Sequence, residues 1–172
     1  MHVFLIAAIS VDGFIDPGTN TSSLTWTSKA DKQFFRERTK QAGVMIVGRT
    51  TFETIGVALP GRKIYVLSSQ PKPATYAALS DDAVEFTSDT PEVLLKRLAA
   101  QGVSEVAVCG GSQVYTHFLK AGLVETVYLT VEPILFGTGV SLCATPLQTK
   151  LQLQERRALS EQTTLLVFAV QR

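Results

Sequence analysis

Three short segments end an apolar run in a turn of Gly, Ser, Thr and Arg: Val47-Gly48-Arg49-Thr50-Thr51, Val66-Leu67-Ser68-Ser69 and Val108-Cys109-Gly110-Gly111-Ser112. The first and third open into helical sequence, so backbone N–H groups would converge where neighbouring strands end. Such a place holds a phosphate-rich nucleotide at several points. Arg49 brings a planar guanidinium fork, and Thr50 and Thr51 add hydroxyls; the plainer alternative makes Gly48 a tight turn and Thr50 a helix cap. Ser68-Ser69 taken alone reads first as an ordinary turn. Gly110-Gly111 lets another backbone, or a ligand, come close.

A second constellation is Trp26-Thr27-Ser28-Lys29-Ala30-Asp31-Lys32-Gln33-Phe34-Phe35. Asp31 and Phe35 are four apart, so a carboxylate and an aromatic ring share one helix face. Ser28 with Asp31 also fits the [ST]-x-x-[DE] capping pattern, in which the carboxylate serves a backbone N–H at the helix start. Spacing leaves both roles open. The G-x-G-x-x-G and G-x-x-x-x-G-K-[ST] fingerprints, C-x-x-C and H-x-x-x-H metal spacings, and the G-x-S-x-G elbow are all missing. Hydrolytic and metal chemistry are thereby disfavoured.

These residues need a scaffold. Continuous apolar runs at Val3–Ile9, Val44–Val47, Lys63–Leu67, Glu105–Cys109 and Thr126–Val131 predict strands buried on both faces. Helical stretches are predicted between them at Ser28–Gln41, Thr50–Ile55, Pro91–Gln101, with Val93, Leu94, Leu95 and Leu98 at helical spacing, and Ser112–Lys120. Leu151–Leu159 and Thr163–Val170 predict an antiparallel hairpin at the sheet edge. The expected fold is α/β, a mostly parallel central sheet with flanking helices and that C-terminal hairpin. Residues 1–172 are expected to form a single domain. Loops Asp12–Thr25 and Pro133–Thr149 are where a lid would lie.

With 16 basic and 15 acidic residues, no basic run marks a nucleic-acid or membrane surface. The apolar start lacks a basic n-region and is too short to span a bilayer. Two cysteines make no disulfide framework, so a reducing, cytoplasmic setting is expected.

Taken in order, these segments resemble dihydrofolate reductase and the superfamily it shares with the riboflavin-pathway pyrimidine reductases. The match includes Ile6-Ala7-Ala8 with Val11-Asp12-Gly13, Trp26 with Asp31 and Phe35, and Gly48-Arg49-Thr50-Thr51-Phe52-Glu53-Thr54-Ile55-Gly56. It continues through Leu59-Pro60-Gly61-Arg62-Lys63, Leu67-Ser68-Ser69, Gly110-Gly111-Ser112-Gln113-Val114-Tyr115 and Tyr128-Leu129-Thr130. The resemblance implies NADPH as cofactor, held by Ala8, Gly48, Arg49, Thr50, Thr51, Leu67, Ser68, Ser69, Cys109, Gly110, Gly111, Ser112, Gln113, Val114 and Tyr115. It implies a pteridine or folate substrate against Ile6, Ala7, Asp31, Phe35, Ile55, Arg62 and Thr130, with Asp31 and Trp26 catalytic and Arg62 clamping the folate tail. The activity it implies first is reduction of 7,8-dihydrofolate to tetrahydrofolate.

Several features depart from that pattern. The prolines flanking the Trp are missing, the loop before Trp26 is long, and Gln113 replaces a common basic residue. Val131-Glu132-Pro133-Ile134-Leu135-Phe136-Gly137-Thr138-Gly139 looks more like the pyrimidine reductases. The alternative activity is therefore 5-amino-6-(5-phosphoribosylamino)uracil reduction in riboflavin biosynthesis; a third is a nucleotide-binding module without catalysis. Some thermophilic dihydrofolate reductases share this mixture and are dimeric, so a homodimer is a further expectation.

Overall fold

The apolar runs become the middle of one sheet. A computed structural model describes residues 1–18 and 23–171, so Thr19–Ser22 of the first long loop lie outside the described residues. In chain order the elements are β1 (His2–Ser10), β2 (Phe14–Asp16), α1 (Lys29–Ala42), β3 (Val44–Gly48), α2 (Arg49–Ile55), β4 (Lys63–Leu67) and β5 (Val84–Thr87). They continue with α3 (Pro91–Ala100), β6 (Glu105–Val108), α4 (Ser112–Lys120), β7 (Thr126–Glu132), β8 (Val140–Ser141), β9 (Leu151–Ala158) and β10 (Thr164–Val170). The main sheet runs β5-β4-β3-β6-β1-β7-β10-β9. Its first six strands are parallel, and β10 and β9 add antiparallel as the expected edge hairpin.

Alternate residues of the buried strands feed two cores, which is why the runs are continuously apolar. Val3, Leu5, Val106, Val108, Val127 and Leu129 pack with Leu94, Leu95, Leu98, Val114 and Phe118. On the other face Phe4, Ile6, Met45, Val47, Ile64 and Val66 pack with Phe52, and with Phe34, Phe35 and Ile55. Val93 does not belong to the inner face of α3 as its spacing predicts: it is exposed, and Leu94, Leu95 and Leu98 make the contact. Strand β5 extends the sheet one place beyond the predicted strands. The two long loops also pair with each other, β2 with β8.

Helix ends follow local chemistry. Ser28 caps α1 by accepting the Asp31 N–H, and Gly43, at φ 73°, closes it in the left-handed region. Thr90 caps α3, with Pro91 in its first turn. By contrast, α2 starts at Gly48 and α4 at Gly111, and neither has a side-chain cap. Their first N–H groups are left for solvent or a ligand. Among the described residues no helix is long and apolar enough to cross a membrane.

Candidate active site

Strands β4, β3, β6 and β1 are neighbours, and their carboxyl ends open into one cavity of about 1340 Å³. Parallel strands place their following turns at the same sheet edge, so the three sequence junctions meet there. Gly48, Arg49, Thr50 and Thr51 line it after β3, Leu67, Ser68 and Ser69 after β4, and Cys109 to Tyr115 after β6. Ile6, Ala7 and Ala8 form its floor at the end of β1. Every expected cofactor residue thus faces the same space.

Local geometry explains the glycines. Gly110 has φ 115°, and the Gly48 N–H donates to its carbonyl at 2.7 Å. A Cβ on Gly110 would lie 3.2 Å from the Tyr115 hydroxyl, and one on Gly111 would lie 3.0 Å from Thr51 Oγ1. The first close neighbours of this pair are therefore parts of the protein itself. Tyr115 is fixed by donating its hydroxyl to the Ile6 carbonyl at 2.7 Å. Ser112 Oγ is buried at the start of α4 with no hydrogen-bond partner. Arg49 is engaged by Glu53 through Nε at 2.9 Å and by Gln70 through its terminal nitrogen. Ser68 Oγ accepts the Gln70 N–H, so it closes a turn as well as lining the cavity.

The other half of the cavity is built on α1. Asp31 is buried and lines the cavity with Phe35, Ile55 and Arg62. Burial pushes the Asp31 carboxyl above the ordinary range; the Thr130 and Thr27 hydroxyls pull it back, Glu132 adds a like-charge push, and Lys32 opposes it. The capping pattern is satisfied in an unexpected way. Ser28 Oγ accepts the Asp31 N–H, but the Ser28 N–H goes to Glu132 on β7 at 3.0 Å. The Asp31 carboxylate is thus released from capping and free to face the cavity.

Two residues, Trp26 expected as catalytic and Thr130 expected against the substrate, stand off the cavity wall. Trp26 does not line the cavity: its indole packs edge-on against Phe136 at 5.2 Å, and its Nε1 is buried without a partner. A short 3₁₀ turn at Ser23–Thr25 precedes Trp26 on the way into α1. Thr130 is buried and off the cavity wall, and its hydroxyl bonds the Asp31 carboxyl.

The structure adds residues that spacing did not single out. Lys29, Lys32 and Arg36, at i, i+3 and i+7 of α1, line the cavity with Arg62. None of the four has an ion-pair partner among the described residues. Arg62 donates to Thr39 Oγ1 at 3.1 Å, while its Nε is buried and unpartnered. Burial, and Arg36 nearby, push the guanidinium below its usual range, although it stays a cation. No cluster of metal-ligating side chains occurs among the described residues.

Fold and site together define an α/β protein with a nucleotide-type cleft at the carboxyl ends of parallel strands. The chain belongs to the RibD C-terminal domain family, whose model matches residues 1–165. Among solved structures it is similar to a pyrimidine reductase-like protein of Corynebacterium diphtheriae, at 19% identity and TM-score 0.79, covering 99% of this chain and 92% of that one. It is equally similar, at 18% identity and TM-score 0.79, to a diaminohydroxyphosphoribosylaminopyrimidine deaminase/5-amino-6-(5-phosphoribosylamino)uracil reductase of Thermotoga maritima. There 98% of this chain covers 56% of the other, just over half. It is also 30% identical over 115 residues to dihydrofolate reductase type A13 of Escherichia coli, covering 67% of this chain and 62% of that protein. The family match turns the first expectation around: the pyrimidine-reductase alternative is the better supported, and dihydrofolate reductase is a distant likeness.

Proposed function

We propose that this chain is an NADPH-dependent reductase of a phosphoribosylamino-pyrimidine, the 5-amino-6-(5-phosphoribosylamino)uracil reductase activity of riboflavin biosynthesis. The observation that carries the reading is the set Lys29, Lys32, Arg36 and Arg62, cations without an ion-pair partner among the described residues, on the wall that also holds Asp31. A substrate phosphate carries up to two negative charges and several acceptor oxygens, and such a set answers it. Family membership supports the same reading.

NADPH fits the opposite half. Two uncapped helix starts, the partnerless Ser112 Oγ and the Arg49 fork are donors suited to phosphates, and the bare Gly110-Gly111 edge leaves room beside them. Gly48, Arg49, Thr50, Thr51, Ser68, Ser69 and residues 109–115 would hold it, with Ala7 and Ala8 as the small-residue floor. When bound, the cofactor supplies the hydride. The protein's own part is to orient the pyrimidine between Phe35 and Ile55, clamp the phosphate, exclude water, and hold a proton at the Asp31 carboxyl.

A second reading is reduction of 7,8-dihydrofolate. It is favoured by the buried Asp31, backed by Thr130, which suits the amino-pyrimidine edge of a pterin, with Arg62 facing a glutamate carboxylate. Following NADPH oxidation at 340 nm with each substrate in parallel tests the two. Turnover of the phosphoribosyl pyrimidine with little or none of dihydrofolate is expected; the opposite preference would replace the first reading by the second.

The same proposal treats residues 1–172 as one domain working in the cytoplasm, as a homodimer. Every residue of the edge strand β9 is exposed, including Leu151 and Leu153, and this supports a second copy there. Sedimentation velocity at micromolar concentration should give twice the chain mass; a monomer would remove that part.

A further inference from the structure

Glu132 is buried, only 3% exposed, and has no cationic partner among the described residues. It sits on β7 two residues beyond Thr130, hence on the same face of the sheet. Its Oε1 accepts the Ser28 N–H at 3.0 Å and the Ser28 hydroxyl at 2.8 Å. Its Oε2 accepts the Thr163 hydroxyl at 3.1 Å, which also lies 2.9 Å from Ser28 Oγ. The Ser28 N–H is an obligate donor to this carboxyl group, and the Ser28 and Thr163 hydroxyls both sit within hydrogen-bond distance of it. Burying a carboxylate on neutral donors alone is costly, and an apolar residue at the end of β7 would avoid the cost.

What the buried charge does is visible from its partners. Ser28 Oγ, gripped by Glu132, accepts the Asp31 N–H at 3.1 Å. The chain of bonds runs from β7 and the turn before β10, through the cap of α1, to the backbone that carries the Asp31 side chain. Glu132 also takes the Ser28 N–H that Asp31 itself would otherwise serve.

We propose that Glu132 is a positioning residue for Asp31: through Ser28 it fixes the first turn of α1, frees the Asp31 carboxylate to face the cavity, and places a second negative charge behind it. The inference rests on the reading of Asp31 as the group that meets the substrate. The charged and titratable groups that bear on Asp31 are Glu132 from β7, Lys32 from α1 and Tyr115 from α4, with Thr27 and Thr130 as neutral neighbours. Burial is the largest influence and makes the Asp31 proton harder to lose; Glu132 adds to it, while the Thr130 and Thr27 hydroxyls and Lys32 oppose it.

The test uses Glu132→Gln, which keeps the shape and an acceptor for Ser28 but removes the charge. Asp31 is titrated by carbon-13 NMR of its carboxyl carbon in the free protein, and kcat and KM are followed against pH. In Glu132→Gln the Asp31 midpoint and the alkaline limb of kcat should both move to lower pH, with KM changed less than about threefold. An unmoved midpoint would overturn the proposal. Should Glu132→Gln fail to fold, Ser28→Ala carries the test: it keeps both carboxylates but cuts the link. The Ser28 N–H bond to Glu132 survives in this variant, but the hydroxyl that joins Glu132 to the Asp31 N–H is gone, so kcat should fall by roughly tenfold to a hundredfold through misplacement of Asp31, and unchanged kcat would overturn the proposal. The titration needs no substrate, so failure to turn over the pyrimidine would strike the functional reading and leave the Glu132 result to be judged separately.

Discussion

Arg62→Met separates a binding role from a structural one because the two push stability and affinity in opposite directions. Among the described residues the Arg62 side chain makes one hydrogen bond, to Thr39, and buries Nε without a partner. Removing the guanidinium forfeits the bond, worth about 0.5–1.5 kcal/mol, and relieves an unsatisfied buried donor that costs about 1–3 kcal/mol. Thr39 is not orphaned, because its hydroxyl also donates to the Phe35 carbonyl at 2.7 Å. Met keeps the length and apolar stem of Arg. The net change in unfolding free energy should therefore lie between a loss of about 0.5 and a gain of about 2.5 kcal/mol. Losing a charge-assisted bond to substrate is worth about 1.5–3 kcal/mol, so KM for the phosphorylated substrate should rise roughly tenfold to a hundredfold. Urea unfolding and steady-state kinetics on the same preparation read both. Destabilisation beyond about 2 kcal/mol with unchanged KM would refute the reasoning and make Arg62 a packing residue.

Other perturbations discriminate the remaining parts. Asp31→Asn should cut turnover by about 10²–10⁴, the usual worth of a positioned acid or base, while circular dichroism stays unchanged, because only the backbone N–H of Asp31 serves the cap. Its folded-state pKa is raised by burial, so the wild-type side chain contributes most to stability below the ordinary aspartate range and loses that contribution as pH rises through its folded value. Asp31→Asn should accordingly raise the wild-type Tm at pH 7 and lose that advantage in acid; a lowered Tm at pH 7 would contradict it. Arg49→Ala should weaken NADPH binding roughly tenfold to a hundredfold and NADH far less, measured by fluorescence titration, and equal weakening would show that Arg49 does not read the extra phosphate. At the opposite end of the sheet, Glu105 is held below the usual range by Arg38, which donates to it at 2.5 and 2.8 Å, with His2 adding to the effect and burial opposing it. That pair stabilises the fold above the ordinary glutamate range and stops doing so as pH falls through the lowered value. Glu105→Gln should thus cost about 1–2 kcal/mol at pH 7 in denaturant unfolding, shrinking toward zero in strong acid.

The sequence resolves the fold well where burial is two-sided. The continuous apolar runs of β1, β3, β4, β6 and β7 announce a parallel sheet, and Lys63–Leu67 and Ser112–Lys120 have the predicted bounds. It is silent where elements are short or held by distant partners. Val84-Glu85-Phe86-Thr87 alternates over only four residues, and Glu85 is held by Lys63 and Arg97 from other elements. The cavity-lining turns are legible because Gly, Ser and Thr after a buried strand leave few other uses for such residues. Glu132 is not, because Ser28-x-x-Asp31 looks like a complete cap, while the reciprocal bond comes from a residue 104 positions away. The cationic wall is hidden by the balanced overall charge; the i, i+3, i+7 spacing of Lys29, Lys32 and Arg36 is the signal that reveals it. For Trp26, spacing along the chain does not fix which way the ring points, and the ring packs on Phe136.

The proposed function requires hydride delivery from NADPH to the sugar carbon of a phosphoribosylamino-pyrimidine. NADPH deuterated at the transferable position of nicotinamide C4, incubated with the enzyme and 5-amino-6-(5-phosphoribosylamino)uracil, tests it by mass spectrometry. A ribityl product gaining one deuterium from the cofactor and one proton from solvent is expected, with NADP⁺ formed in equal amount. Recovery of the phosphoribosyl compound unreduced, with deuterium entering tetrahydrofolate from added dihydrofolate or entering no product, would contradict it.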